Sequence, residues 1–323
     1  MEIKKTLIFS VVLIIPLLFP LISVVEVEGV TDKPIIVCTT SAVGSIVQEF
    51  LGDTADVVVL VQPSLCPADF DMKPSDVYAV SNAKVLFKQN IRGEFWLQGL
   101  LDAAENTNLT QVTIPGVYNT PEGAKNYIRW VGGNLTQILN MDLDAEISEM
   151  LIAIEEVSSW MKSQAEALQV STVKVICMDW LKTFVESVGF TIVATYNPPE
   201  TLSAGDINNL IDTAQSERVT LIIDNLQIDV DFGRGIASQV GAEHLVLTNF
   251  PGAIPGTRNL VQMLQYNAEQ LFNGTHTWRS TATLRAEREE LKNQITIFQI
   301  TTSLAVIIAV VEAVWLYTGR KRR

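Results

Sequence analysis

Sulfur and carboxylate oxygen are the donors in this chain whose placement could do chemistry. Cys38, Cys66 and Cys177 are its only cysteines; Met178 and Asp179 adjoin the third, and Asp69 and Asp71 follow the second. Thiolate and thioether are soft donors that favour Cu(I) or Zn, whereas carboxylate oxygen suits Mn. Cys38, Cys66, Cys177, Met178 and Asp179 therefore form one candidate metal set, with Asp69, Asp71 and Asp224 as further carboxylates. Two other readings stand beside it. Cys38 and Cys66 can be a disulfide pair, or all three cysteines can be small core residues. Alternatively, acidic and aromatic residues such as Asp179, Trp180 and Phe70 line a site for a different solute. No catalytic arrangement competes: Gly-x-Ser-x-Gly and the phosphate-binding Gly-Lys-Ser/Thr are both absent, and neither His244 nor His276 has triad-like neighbours, so a surface role is expected for both.

The elements that must position these residues alternate between strand and helix. Short apolar, β-branched runs at 34–38, 56–62, 84–87 and 111–114 read as strands, and helical patterns lie between them. Ser75 is a candidate cap for the helix that follows it. The helix at 121–139 carries an awkward Gly132-Gly133 pair. The alternation restarts with strands at 173–177, 190–194, 219–224 and 245–247. Between the two series, Asp144–Leu168 repeats apolar residues at three- and four-residue steps without Gly or Pro, and Asp142 or Asp144 can cap it. At 1.5 Å per residue this helix would span about 38 Å. The reading is an α/β protein of two lobes with mostly parallel sheets, joined by a strut helix. Ligands of such sheets sit outside the carboxyl ends of the strands, where Cys38 and Cys177 end theirs.

Both ends of the chain suggest a membrane. Mean hydropathy is +0.25, and Lys4 and Lys5 precede an apolar run, so 1–30 reads as a signal peptide or N-terminal anchor. The expected organisation continues with an N-terminal lobe at 31–141, the linking helix at 142–170, a C-terminal lobe at 171–278 and a stalk at 279–294. A transmembrane helix at 295–317 and a basic cytoplasmic tail at 318–323 follow, leaving the body outside the cytoplasm. Leu284, Leu291, Ile295 and Phe298 hint at a heptad seam in the stalk. Three sequons, at Asn108, Asn134 and Asn273, agree with export. A net charge of −13 argues against a nucleic-acid partner.

Five stretches, in order, resemble the solute-binding proteins of ABC transporters that take up zinc and manganese. They are ADFDMKPSD (Ala68–Asp76), TPEGAK (Thr120–Lys125), VICMDWLKTFVESVGF (Val175–Phe190), PPETLSAGDINNLIDTAQSERVTLIID (Pro198–Asp224) and LVQMLQYNAEQL (Leu260–Leu271). The resemblance implies two α/β lobes on a rigid helix, a metal ion as cargo (Zn, Mn or, with soft donors, Cu(I)), and an ABC permease with its ATPase as partners. It also implies a non-enzymatic role. The family's histidine and carboxylate ligand positions fall here on Ala68, Gly116, Met178 and Thr248 or Asn249, none of them His. The expectation is a membrane-anchored solute-binding protein with non-standard Cys/Met ligands. The alternative is a non-transport receptor or interaction protein that kept the scaffold and lost metal binding.

Overall fold

A computed structural model describes residues 33–320 apart from Asn90 and Arg92, so the expected N-terminal signal or anchor and the last three basic residues lie outside the described residues. The first lobe is built from β1 (Ile35–Cys38), α1 (Ser41–Leu51), β2 (Asp56–Val59), α2 (Pro74–Ser81), β3 (Ala83–Lys88), α3 (Leu97–Ala104), β4 (Thr110–Thr113) and α4 (Pro121–Leu139). Helix α5 (Asp144–Ala167) leads to the second lobe. That lobe contains β5 (Lys174–Met178), α6 (Lys182–Val188), β6 (Thr191–Tyr196), α7 (Ala204–Ser216), β7 (Leu221–Asn225), α8 (Asp231–Val240), β8 (Glu243–Leu247) and α9 (Leu260–Ser280). Helix α10 (Ala282–Arg320) follows.

Each lobe holds one four-stranded sheet, ordered β2-β1-β3-β4 and β6-β5-β7-β8, and every pairing is parallel. Parallel strands need crossover helices on both faces, which is why Ile36, Val37, Ile176 and Ile222 are fully buried and the strands read as unbroken apolar runs. The motifs quoted above fold as helix starts. Thr120 accepts from the Gly123 N–H at 3.1 Å with Pro121 in the first turn, and Ser203 and Asp206 form a reciprocal capping box. Two expected caps shift. Lys73, not Ser75, stands at the start of α2, with Asp76 accepting its N–H at 2.8 Å; Leu143 stands at the start of α5, while Asp142 accepts from the Asp144 N–H.

Helix α5 runs unbroken for 24 residues, about 36 Å at 1.5 Å per residue. Its buried residues Ile154, Val157, Met161 and Ala165 belong to a single apolar core that takes in Val43 and Tyr127 of the first lobe and Val175 and Leu264 of the second. Helix α9 packs on β8 and α5 and extends to Ser280, beyond the expected Phe272, and Arg279 Nη1 donates to the Leu168 carbonyl at 2.8 Å at the far end of the strut. The glycine pair in α4 resolves by position. A Cβ on Gly132 would stand 2.6 Å from Ile147 Cδ1 of the strut, whereas Gly133 meets nothing within 4 Å and is exposed. Gly132 is what lets α4 and α5 approach.

The two glycines therefore give opposite results in denaturant unfolding. Gly132→Ala should lose about 1–3 kcal/mol by overpacking, and Gly133→Ala should gain about 0.5–1 kcal/mol by restricting the unfolded chain. Equal effects would mean that α4 does not rest on the strut through Gly132.

Candidate metal cleft

Because all strands of a sheet run the same way, every loop that follows a strand emerges on the same edge. Loops after six of the eight strands line one cavity of about 690 Å³. The first lobe contributes Cys66, Pro67 and Ala68 after β2, Ile91 and Gly93 after β3, and Gly116 to Asn119 after β4. From the second come Asp179 and Trp180 after β5, Asn225 and Gln227 at and after β7, and Asn249 and Phe250 after β8.

Local contacts fix these loops. Trp96 Nε1 donates to the Pro67 carbonyl at 2.8 Å, its ring lies 4.3 Å from that of Phe70, and a Cβ on Gly93 would stand 2.9 Å from the Ala68 nitrogen. Thr40 donates to Gln89, Gln89 Nε2 lies 3.4 Å from Tyr127 Oη, and Tyr127 donates to the Gly116 carbonyl at 3.0 Å. That relay ties the end of β1 to the loop before α4. Thr195 Oγ1 donates to Asp179 Oδ1 at 3.2 Å and so aims the carboxylate.

Among the described residues, amides bridge the gap. Asn119 Nδ2 lies 3.0 Å from Asn249 Oδ1 and 3.2 Å from the Trp180 carbonyl, and Gln227 Nε2 donates to the Pro63 carbonyl at 2.9 Å. The Tyr118 and Phe250 rings stack at 6.3 Å. Two amide atoms on the cavity, Asn119 Oδ1 and Asn225 Nδ2, are buried without a hydrogen-bond partner. Leaving such atoms unsatisfied costs on the order of 1–3 kcal/mol each, which is a standing pull toward a ligand.

The structure separates the candidate residues named from sequence. Cys66 and Asp179 line the cavity. Cys38, Cys177 and Met178 do not: all three are 0% exposed, in the apolar core beneath the strand ends, and Met178 sulfur accepts from the Trp180 N–H at 3.2 Å. Their side chains point into the sheet's helical cover, because alternate strand residues face opposite sides and neither faces the strand end. The Cys38–Cys66 pairing is absent, since all three thiols are free. Asp69 and Asp71 are exposed outside the cavity, and Phe70 packs on Trp96 instead of forming a wall.

Asp224 corrects a further expectation. Instead of facing the cleft it is 0% exposed, accepting from Tyr196 Oη and lying 2.7 Å from His244 Nε2, with Gly233 closing over the carboxylate. His244 is therefore the partner of a buried carboxylate and not a surface residue; burial beside Asp224 drives the Tyr196 hydroxyl far above its ordinary range. Among the described residues, no three His, Cys, Asp or Glu side chains gather as a metal-holding group. The cavity residues that sequence reasoning missed, Tyr118, Asn119, Asn225, Gln227 and Phe250, all stand at or within six residues of a strand's carboxyl end. That position was the available signal.

Comparison with known proteins fits this geometry. Residues 36–274 match the family model described as zinc-uptake complex component A, periplasmic. The manganese-binding lipoprotein MntA of Halalkalibacterium halodurans is 21% identical over 263 residues, covering 74% of this chain and 87% of that protein. The crystal structure of ZnuA superposes with a TM-score of 0.63 at 20% identity, covering 76% of this chain and all of that one. The manganese-bound periplasmic metal-binding protein of Candidatus Liberibacter asiaticus gives 0.60 at 15% identity, covering 75% of this chain and all of that one.

Burial sets the reactivity of the thiols. It pushes Cys177 up to about 12 and raises Cys38 and Cys66 as well, so all three stay protonated near neutrality. Ellman's reagent at mildly alkaline pH should leave Cys38 and Cys177 untouched and reach Cys66 slowly, while guanidinium should release all three. Rapid reaction of two thiols in the native protein would contradict this placement. From its sheet order, its strut and the residues matched, the chain belongs to the ZnuA family of periplasmic zinc-uptake components.

Proposed function

We propose that this chain is the membrane-anchored, extracytoplasmic solute-binding protein of an ABC importer, with a metal ion as its cargo. Cys66 thiolate, Asp179 carboxylate and the Asn119 side-chain carbonyl are its donors. The observation that carries the reading is the Asn119 oxygen: buried, unpartnered, and on the same cavity as the Cys66 thiol and the Asp179 carboxyl. Two donors come from the first lobe and one from the second, so a bound ion would tie the lobes together. One sulfur and two oxygens form a borderline set that suits Zn better than Mn, whose preference is for oxygen alone. Water completes the coordination.

Anchoring is supported by α10, where Ala286–Val314 contains a window of mean hydropathy 2.1, long and apolar enough to cross a membrane. Arg320 to Arg323 follow it, and a basic flank favours the cytoplasmic side. The permease and ATPase would then lie at and beneath the same membrane.

A second reading has its own observation. Ala68 and Gly116 bring no side-chain donor to the cleft, and Asn119 and Gln227 already hold the lobes together, as expected of a receptor that kept the scaffold without the cargo.

Titration calorimetry of the full-length protein in detergent with Zn, Mn and Cu(I) separates the two. The transport reading predicts one Zn bound tightest, with a proton released from the Cys66 thiol, and at least a tenfold loss of affinity in Cys66→Ser and in Asp179→Asn. Absence of binding by all three ions would establish the second reading, and binding indifferent to both substitutions would remove these donors.

A further inference from the structure

Helix α10 leaves the body with an apolar stripe that none of the described residues covers. Leu284, Leu291, Ile295 and Phe298 are 65%, 58%, 53% and 70% exposed, and the first two precede the apolar run, where a lone helix would show them to water. Together with Arg288 they recur at alternating steps of four and three, the spacing of a coiled-coil seam. We propose that α10 pairs in parallel with α10 of a second copy of this chain, along this stripe and its continuation toward the carboxyl end.

Charge selects a copy of itself as the partner. In a parallel pair in register, the residue before one seam position faces the residue five places later on the other helix. Here those residues are Glu287 and Lys292, opposite in sign, so an in-register pair brings two pairs of opposite charges together. Arg288 sits on the seam, where a polar residue fixes register at a cost in stability, here increased by its like-charged counterpart.

The same spacing continues without a break to Thr302, Ala305, Ala309 and Glu312. The opposite face carries Ile297, Ile300, Leu304, Ile307, Val311 and Val314, all bulky. If this half spans a membrane, as proposed above, the bulky face meets lipid, and the small residues let two backbones approach. Glu312 then faces a neighbouring helix, the place where intramembrane carboxyl groups are tolerated. One stripe thus changes from leucine to small and polar residues where the surroundings change from water to lipid.

Cross-linking of the full-length protein in its membranes tests this. Under mild oxidation Leu291→Cys should give a covalent species of twice the chain mass, and Asn293→Cys, on the far face, at least about fivefold less. Glu287→Lys should weaken the Leu291→Cys product, and adding Lys292→Glu should restore it. Equal yields from the two cysteines, no product, or an adduct of any other mass would overturn the proposal. Alkaline carbonate extraction of the same membranes reports separately on the span: a released chain refutes anchoring, while the cross-linking pattern still decides the pairing.

Discussion

Both sheets lean on one helix, and the rest of the molecule follows from that. Ile154, Val157, Met161 and Ala165 bury one face of α5 in a core that includes residues of both lobes, so the lobes are set by the same rod. Parallel strands send all their carboxyl-end loops to one edge of each sheet, and the shared rod sets those edges against a common cavity. Gly132 marks how close the packing is, because a single methyl there would collide with Ile147.

Among the described residues, the polar lining of the cleft is mostly neutral amide, with one thiol and one carboxylate. Amide hydrogen bonds between Asn119 and Asn249 and from Gln227 to Pro63 hold the two sides without the cost of desolvating ions. Several other candidate donors are kept from the cavity by burial. Asp224, His244 and Tyr196 satisfy one another inside the second lobe, and Cys38 and Cys177 are locked into apolar surroundings where a thiolate is disfavoured. Placement thus reduces a scattered set of sulfur and carboxylate residues to Cys66 and Asp179.

Much of the fold was legible because each element carried its own local signal. Eight β-branched runs separated by helical periodicity led to eight parallel strands, and the uninterrupted apolar repeat at 144–168 led to the strut, since period and breaker residues report directly on backbone geometry. The site was legible only in outline. Strand-end residues are expected at the cleft, yet Cys38, Cys177 and Asp224 are fully buried, and a one-residue difference at a strand end decides between core and cavity. Asn119 and Gln227 escaped notice because an amide has no distinctive pattern, and their role arises from contacts across 130 and 164 residues of chain. Caps misread by two residues, as at Lys73, come from the same limit on locating where a turn begins.

The claim on which this account rests is that cargo is gripped from both lobes at once, in the gap between the sheet edges. Anomalous diffraction at the zinc edge from zinc-soaked crystals tests it most directly. The predicted result is one site in the cleft, about 2.3 Å from Cys66 Sγ and about 2.0–2.2 Å from an Asp179 oxygen. Zinc found only at His244 or His276, or none at all between the lobes, would contradict it.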